Sequence, residues 1–436
     1  MRKTILRTTI VTLCAVIAMV GVARAAPWTQ TQKLMPRDGA EEDVFGIDVS
    51  VMGDWAVVGA YGDDENGAAS GSAYVYKKSG GIWGFASKLV PADGHANQYF
   101  GNSVSICGDT VVVGAWGDDD NGVGAGAAYV YKETAGVWSL DTKLTATDGA
   151  PGDAFGRGVA VSGDTVVVGA WHDDDGGTSS GSAYVFKEAA GVWSQDAKLT
   201  ASDGATGDEM GRAVAIDGSV VVVGAHGNDD SGSLSGSAYV YKDAGAGVWN
   251  EDTKLTAFDG ATGDRFGFSV AVAGGLVAVG SYADDDKGGA SGSVYVYDGS
   301  GAVWVLDAKL VASDGTNGDL FGFDVALDGS RLVAGAYGDD DSGSISGSAY
   351  VFDRSGTWSQ EAKLLASDGA GGDQFGQAVA VCGDVALVGA YADSVNGHWS
   401  GSAYVFEPRQ GGPVVPEPAG VGLIGMALFA LRRRRS

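Results

Sequence analysis

The chain has 436 residues with 55 acidic against 28 basic side chains, a net charge of −27, and carries 73 glycines but three cysteines. So acidic a body argues against nucleic-acid binding, which draws its affinity from basic contacts to phosphate. The few cysteines exclude a disulfide-stapled scaffold, and the glycines lack collagen's triplet period, which leaves turns and closely packed sheets as their use.

In chain order, residues 1–25 have a basic start (Arg2, Lys3, Arg7), an apolar stretch from Ile10 to Val22 and a small-x-small site at Ala23-Arg24-Ala25. Together these form a secretory signal, with cleavage expected after Ala25. The apolar stretch is shorter than the ~20 residues a membrane span needs. Trp28 to Leu34 (WTQTQKL) then reads as a lone strand.

From Phe45 onward one passage repeats. Phe-Gly recurs at Phe45, Phe100, Phe155, Phe266, Phe321 and Phe375, with Met210-Gly211 in the fourth copy, at spacings of 54–56 residues. Each copy holds an alternating run (VAVSG in the third), an unbroken apolar run (VVVGA), a third run (GSAYVF) and a fourth (GVWSQDAKL), separated by Gly, Asp, Ser and Asn. These read as four short strands joined by tight turns. Four strands at this period predict propeller blades, with middle strands covered on both faces. The predicted fold is all-β, a seven-bladed β-propeller over residues 28–406. Because the chain starts with a Trp strand and its last copy lacks one, Trp28–Leu34 is predicted to complete the last blade and close the ring.

Past the propeller, residues 407–415 read as a linker. Residues 416–436 follow as a short apolar stretch, Ala419 to Leu431, ahead of Arg432 to Arg435. Thirteen apolar residues are marginal for a stable span, so a transient membrane anchor is expected, its arginines cytoplasmic. Cys107 and Cys382 occupy one repeat position in blades two and seven, too far apart for a disulfide, and two free thiols are predicted.

Charge and aromatic side chains mark one rim. Within each blade the loop between the second and third strands falls at the same end as the connection to the next blade. The first set of loops contains Asp63, Asp64, Asp118, Asp120, Asp173, Asp175, Asp284, Asp286, Asp339 and Asp341. The second has the pattern DGAxGD, as in Asp148 to Asp153, and the two together hold 34 of the 55 acidic residues. On these loops only Arg37, Arg265 and Lys287 oppose them, so the rim is expected to attract cations. Clustered carboxylates and carbonyls suit Ca²⁺, but Asp in DG and GD pairs also makes turns by bonding its own backbone. Beside this rim, Tyr61, Trp116, Trp171, His226, Tyr282, Tyr337 and Tyr391 share one repeat position, either offering flat faces to a sugar or packing against the neighbouring blade.

Two resemblances follow from these residues. The ending VPEPAGVGLIGMALFALRRRRS, with Val-Pro-Glu-Pro at 415–418, resembles a PEP-CTERM sorting signal. That resemblance implies an exosortase-type processing enzyme, a Gram-negative bacterium that makes exopolysaccharide, and a secreted or cell-surface protein. The repeats, with Phe45-Gly46 and Val58-Gly59-Ala60 and their equivalents Phe100-Gly101 and Val113-Gly114-Ala115, resemble the FG-GAP family, relatives of the integrin α-subunit propeller. That family's calcium loop lies between the FG and GA strands. Here the junction is a tight turn such as Ser162-Gly163-Asp164-Thr165, so those ligands have no counterpart in this sequence.

The expectation is a monomeric, non-catalytic module for adhesion to extracellular polysaccharide or a surface protein, with Ca²⁺ as the one candidate cofactor. The rival is an extracellular hydrolase or lyase with a site in the central channel. His95, His172, His226 and His398 are scattered over unlike repeat positions and form no catalytic spacing. Two carboxylates from unlike blades facing the channel, one with a raised pKa, would favour the rival.

Overall fold

The computed structural model describes residues 27–409. The expected signal at 1–25 and the sorting segment at 416–436 lie outside the described residues. The last described strand, Ser402–Pro408, runs into the segment read as a linker.

The described residues form 28 strands in seven four-stranded antiparallel sheets. The third blade shows the pattern, with strands Phe155–Ser162, Thr165–Ala170, Ser182–Ala189 and Val192–Leu199 in spatial order. The seventh is built from Val379–Cys382, Val385–Ala390, Ser402–Pro408 and the N-terminal Trp28–Leu34. Trp28 pairs with Pro408 and Leu34 with Ala403, so the N-terminal strand closes the propeller as its sequence predicts.

Seven apolar clusters hold the blades together, and each spans two neighbouring blades. One joins Val57, Val75 and Leu89 of the first blade to Phe100, Val113 and Tyr129 of the second. Another joins Leu387 and Val405 of the seventh blade to Phe45 and Tyr74 of the first, so the last interface matches the rest. Val111, Val112 and Val113 have no exposure, because a middle strand faces a neighbouring blade on each side. The repeated phenylalanine packs edge-on against its own blade's third-strand tyrosine, as Phe45 does on Tyr74 at 5.4 Å. Its backbone also bridges to the previous blade, Phe45 to Gly401.

The Phe-Gly glycine is fixed by two constraints. Gly46 sits at φ +92°, and a Cβ there would overlap the carbonyl of Ser402 in the preceding blade. Only glycine has this backbone region freely open and lets a carbonyl approach so closely.

At the outer edge a bulge interrupts the pairing of third and fourth strands, between Val130 and Tyr131 in the second blade. A bulge re-aims the unpaired side chain. Asp141 there accepts a hydrogen bond from Trp193 Nε1 of the next blade at 2.9 Å, and Asp196 receives Trp249 in the same way at 3.1 Å. The cysteines also face neighbouring blades: both are free thiols, and Cys107 and Cys382 accept the amides of Gly163 and Gly53.

Candidate functional site

The acidic loops and the DGAxGD connections meet at one rim, joined by a cation not counted in the sequence. The fourth strand of each blade ends in Lys-Leu. The leucine is buried, and the lysine reaches back across the blade into the acidic loops. In the second blade Lys143 Nζ lies 2.8 Å from Asp93, 2.8 Å from Asp118 and 2.6 Å from Asp120. Lys88 meets Asp38, Asp63 and Glu65, Lys198 meets Asp148, Asp173 and Asp175, Lys254 meets Asp203 and Asp230, and Lys309 and Lys363 repeat the threefold arrangement. In the seventh blade Lys33, from the N-terminal strand, bridges Asp368 and Asp393. The expectation that only Arg37, Arg265 and Lys287 oppose the rim is therefore corrected: seven further lysines stand among the carboxylates.

A buried tyrosine completes each cluster. Tyr129 donates its hydroxyl toward Asp93 and Asp118, both at 3.0 Å, while Gln98 donates to Asp118 at 2.7 Å. Burial opposes ionisation of Asp118, yet the hydrogen bonds from Lys143 and Gln98 outweigh it and hold the carboxyl below the usual range. Burial, with the neighbouring carboxylates, pushes the Tyr129 hydroxyl well above its ordinary value.

The other rim carboxylates shape turns. Asp173 accepts the amide of Asp175, and Asp174 the amide of Ser179, five residues on. The last Asp of DGAxGD accepts the amide three residues earlier, as Asp153 does from Ala150 at 2.7 Å. Asp63, Asp118, Asp173, Asp284 and Asp339 are buried in this way, whereas Asp64, Asp120, Asp175, Asp286 and Asp341 are exposed.

Calcium fits this rim poorly. Asp93, Asp118 and Asp120 come close enough together to hold an ion, but they are the three carboxylates that Lys143 already joins. An ion would have to displace the ammonium. At the junction of the FG and GA strands, Ser162 pairs directly with Thr165 across the turn, leaving no ion-binding loop.

The aromatic position divides into two halves. Tyr61, Trp116, Trp171 and Tyr391 wall an open basin of about 730 Å³, together with Tyr99 and His172. Tyr99 stacks on Trp116 at 4.4 Å and His172 on Trp171 at 4.0 Å, so these rings are braced. On the opposite side Phe268 and Phe323 fill the equivalent space. Tyr282 packs on Phe268 and Tyr337 on Phe323, each at 4.5 Å, with His226 against Phe268 at 5.3 Å. The packing reading thus holds for that half, while Tyr61, Trp116, Trp171 and Tyr391 face open space.

Below the basin the first strands surround a central cavity of about 210 Å³, lined in part by Asp48, Arg157, Arg212, Phe268 and Asp324. The two carboxylates accept amides from the next blade, Asp48 from Val104 and Asp324 from Val379, both at 2.7 Å. Burial raises Asp48 to about 6, and burial with the charge of Asp48 raises Asp324 to about 7. These polar residues follow Phe-Gly by one or two positions, where the seven copies differ. A search for repeated chemistry passes over them; comparing the copies for their differences would have found them.

A ring of seven four-stranded blades, closed by an N-terminal strand and open at one face to an aromatic basin, defines a seven-bladed β-propeller. The FG-GAP repeat matches residues 28–76, 83–131, 138–186, 193–241, 249–297, 304–352 and 358–406, and the chain belongs to that family. Each match starts on a Trp strand and ends on the third strand of the following blade, which is the offset that the N-terminal strand closes. No curated protein matches the chain. FG-GAP propellers are commonly extracellular, adhesion-type modules, and their repeats commonly bind calcium.

Proposed function

We propose that the protein is a secreted or surface-attached, non-catalytic binding module whose aromatic basin takes a saccharide of the extracellular matrix. The braced basin of Tyr61, Tyr99, Trp116, Trp171 and Tyr391 carries this reading. Such rings offer flat apolar faces and polar edges, which suits a pyranose. The sequence of residues 1–25 and 416–436 supports export, transient membrane insertion and release by an exosortase-type enzyme. The lysine-filled rim supports a propeller stable without calcium.

Titration of the propeller with oligosaccharides from bacterial matrix tests the basin, with Trp171→Ala expected to weaken binding at least tenfold. Indifference of wild-type protein to all of them, or equal binding by the variant, would count against it. Mass spectrometry of the mature protein tests the termini, which should be cut after Ala25 and near Pro416.

A second reading, a hydrolase or lyase, is favoured by one observation: Asp48 and Asp324 are unlike-blade carboxylates at one cavity, with pKa values raised to about 6 and about 7. Their hydrogen bonds to Val104 and Val379 favour a stapling role instead. Polysaccharide cleavage abolished by Asp324→Asn would decide for the enzyme.

A further inference from the structure

The central cavity holds two guanidinium groups that make no direct ion pair among the described residues. Arg157 and Arg212 occupy the same repeat position in adjacent blades, and both line the cavity. Arg331 and Arg354, elsewhere in the propeller, pair with Asp384 at 2.8 Å and Asp298 at 2.9 Å. Among the described residues, Arg157 and Arg212 make no such pair. The one protein acceptor they meet is the carbonyl of Phe268, 3.4 Å from Arg212. The Arg212 guanidinium carbon lies over the Phe268 ring, 3.6 Å from its centre, and that of Arg157 lies 5.8 Å from the centre of the Trp171 ring. Each guanidinium carries five N–H donors in a rigid fork, so most of these donors have no protein acceptor among the described residues.

Two like charges side by side out of bulk water are costly unless an anion joins them. Burial, and then the charge of Arg157, lowers the Arg212 pKa well below its ordinary value. The charges of Asp48 and Asp324 favour those of Arg157 and Arg212 from a distance, but neither carboxylate makes direct ion-pair contact with them, and both accept the amides of Val104 and Val379 instead. Planar guanidinium forks match the oxygens of a carboxylate or sulfate, and desolvation strengthens such bonds.

The cavity also opens upward into the basin. Ile47, Asn102, Arg157 and Gln377 line both spaces. A ring seated among Tyr61, Trp116, Trp171 and Tyr391 would therefore direct one substituent at Arg157. We infer that Arg157 and Arg212 form an oxyanion site, and that the saccharide taken by the basin bears a carboxylate or sulfate which enters it. The saccharide part of this inference rests on the basin being the binding site, as proposed above; the anion part does not.

Calorimetric titration of the signal-free propeller tests it with a uronate-containing oligosaccharide, its carboxyl-reduced neutral counterpart, and free sulfate. The uronate form is expected to bind about tenfold or more tightly than the neutral one, as one charge-assisted contact is worth. Arg212→Gln, outside the basin, should erase that preference and keep the neutral affinity, Arg157→Gln should erase it as well, and Arg157→Lys should keep part of it. Melting temperatures of the variants confirm that they fold. Equal affinity for the two sugars, unchanged by either arginine variant, overturns the inference while leaving the basin reading intact. Failure of both sugars to bind sinks the basin reading; sulfate binding lost in Arg157→Gln would then assign the site to a free oxyanion, and no sulfate binding would overturn the inference too.

Discussion

Replacing Lys143 with Met removes one rim ammonium while keeping most of its apolar stem. Three carboxylates lose their common partner, but unequally. Asp118 is 1% exposed, while Asp93 and Asp120 are 48% and 64% exposed. Exposed pairs contribute about 0–1 kcal/mol, while removing one partner of a buried pair costs about 3–5 kcal/mol. Asp118 keeps hydrogen bonds from Gln98, Tyr129 and the Asp120 amide, which places the cost at the lower end, about 3 kcal/mol. Unfolding entropy over residues 27–409 is on the order of 0.8 kcal/mol/K, so the melting temperature should fall by about 4 °C in scanning calorimetry. Lys287→Met, on an exposed rim lysine with no ion pair among the described residues, should stay within about 1 °C. Millimolar calcium should restore part of the loss in Lys143→Met by entering the vacated cluster, and leave wild-type protein unchanged. An unshifted Lys143→Met, or a wild-type protein that melts several degrees higher in calcium than in EDTA, would refute the assignment of the ammonium as the rim's own cation.

Three further outcomes are expected. Asp324, raised to about 7 by burial and the charge of Asp48, binds its proton more readily in the folded chain than in the unfolded one. Its contribution to stability therefore falls as pH rises from about 4 through 7; Asp324→Asn, which keeps an acceptor for the Val379 amide, should melt higher than wild type at pH 8 and equally at pH 4, and equal melting at both would contradict this. Deleting residues 27–34 should expose the edge of Ser402–Pro408 and cause dimers or aggregates in size-exclusion chromatography, since an unpaired edge recruits other strands. Gly46→Ala, which brings a methyl against Ser402, should cost at least about 2 kcal/mol by chemical denaturation, more than Gly53→Ala, where a Cβ meets nothing within 4 Å.

The fold is legible in the sequence because its signals are local and repeated. Alternation, apolar runs and turn residues mark each blade, and the Trp strand at Trp28 without a counterpart after Phe406 gives the closure. The rim was half legible. Its acidic loops were evident, but the Lys of Lys-Leu reads as a solvent-facing residue of an outer strand, and its partners lie in loops 22–51 residues earlier in six copies and at the far end of the chain for Lys33. Its presence in all seven copies was the available signal. The channel was not legible, since Asp48, Arg157, Arg212 and Asp324 stand where copies differ and only ring closure brings them to one cavity. Nor could periodicity tell which aromatic side chains stay open, because Phe268 and Phe323, at a position where the copies differ, decide it.

A crystal structure of the propeller soaked with calcium and a uronate oligosaccharide tests the central claim most directly. The account predicts a sugar ring in the basin beside Trp171 with its carboxylate toward Arg157, and lysine ammonium groups still seated at the rim. Calcium in place of Lys143 Nζ, or a sugar bound away from the basin, would contradict it.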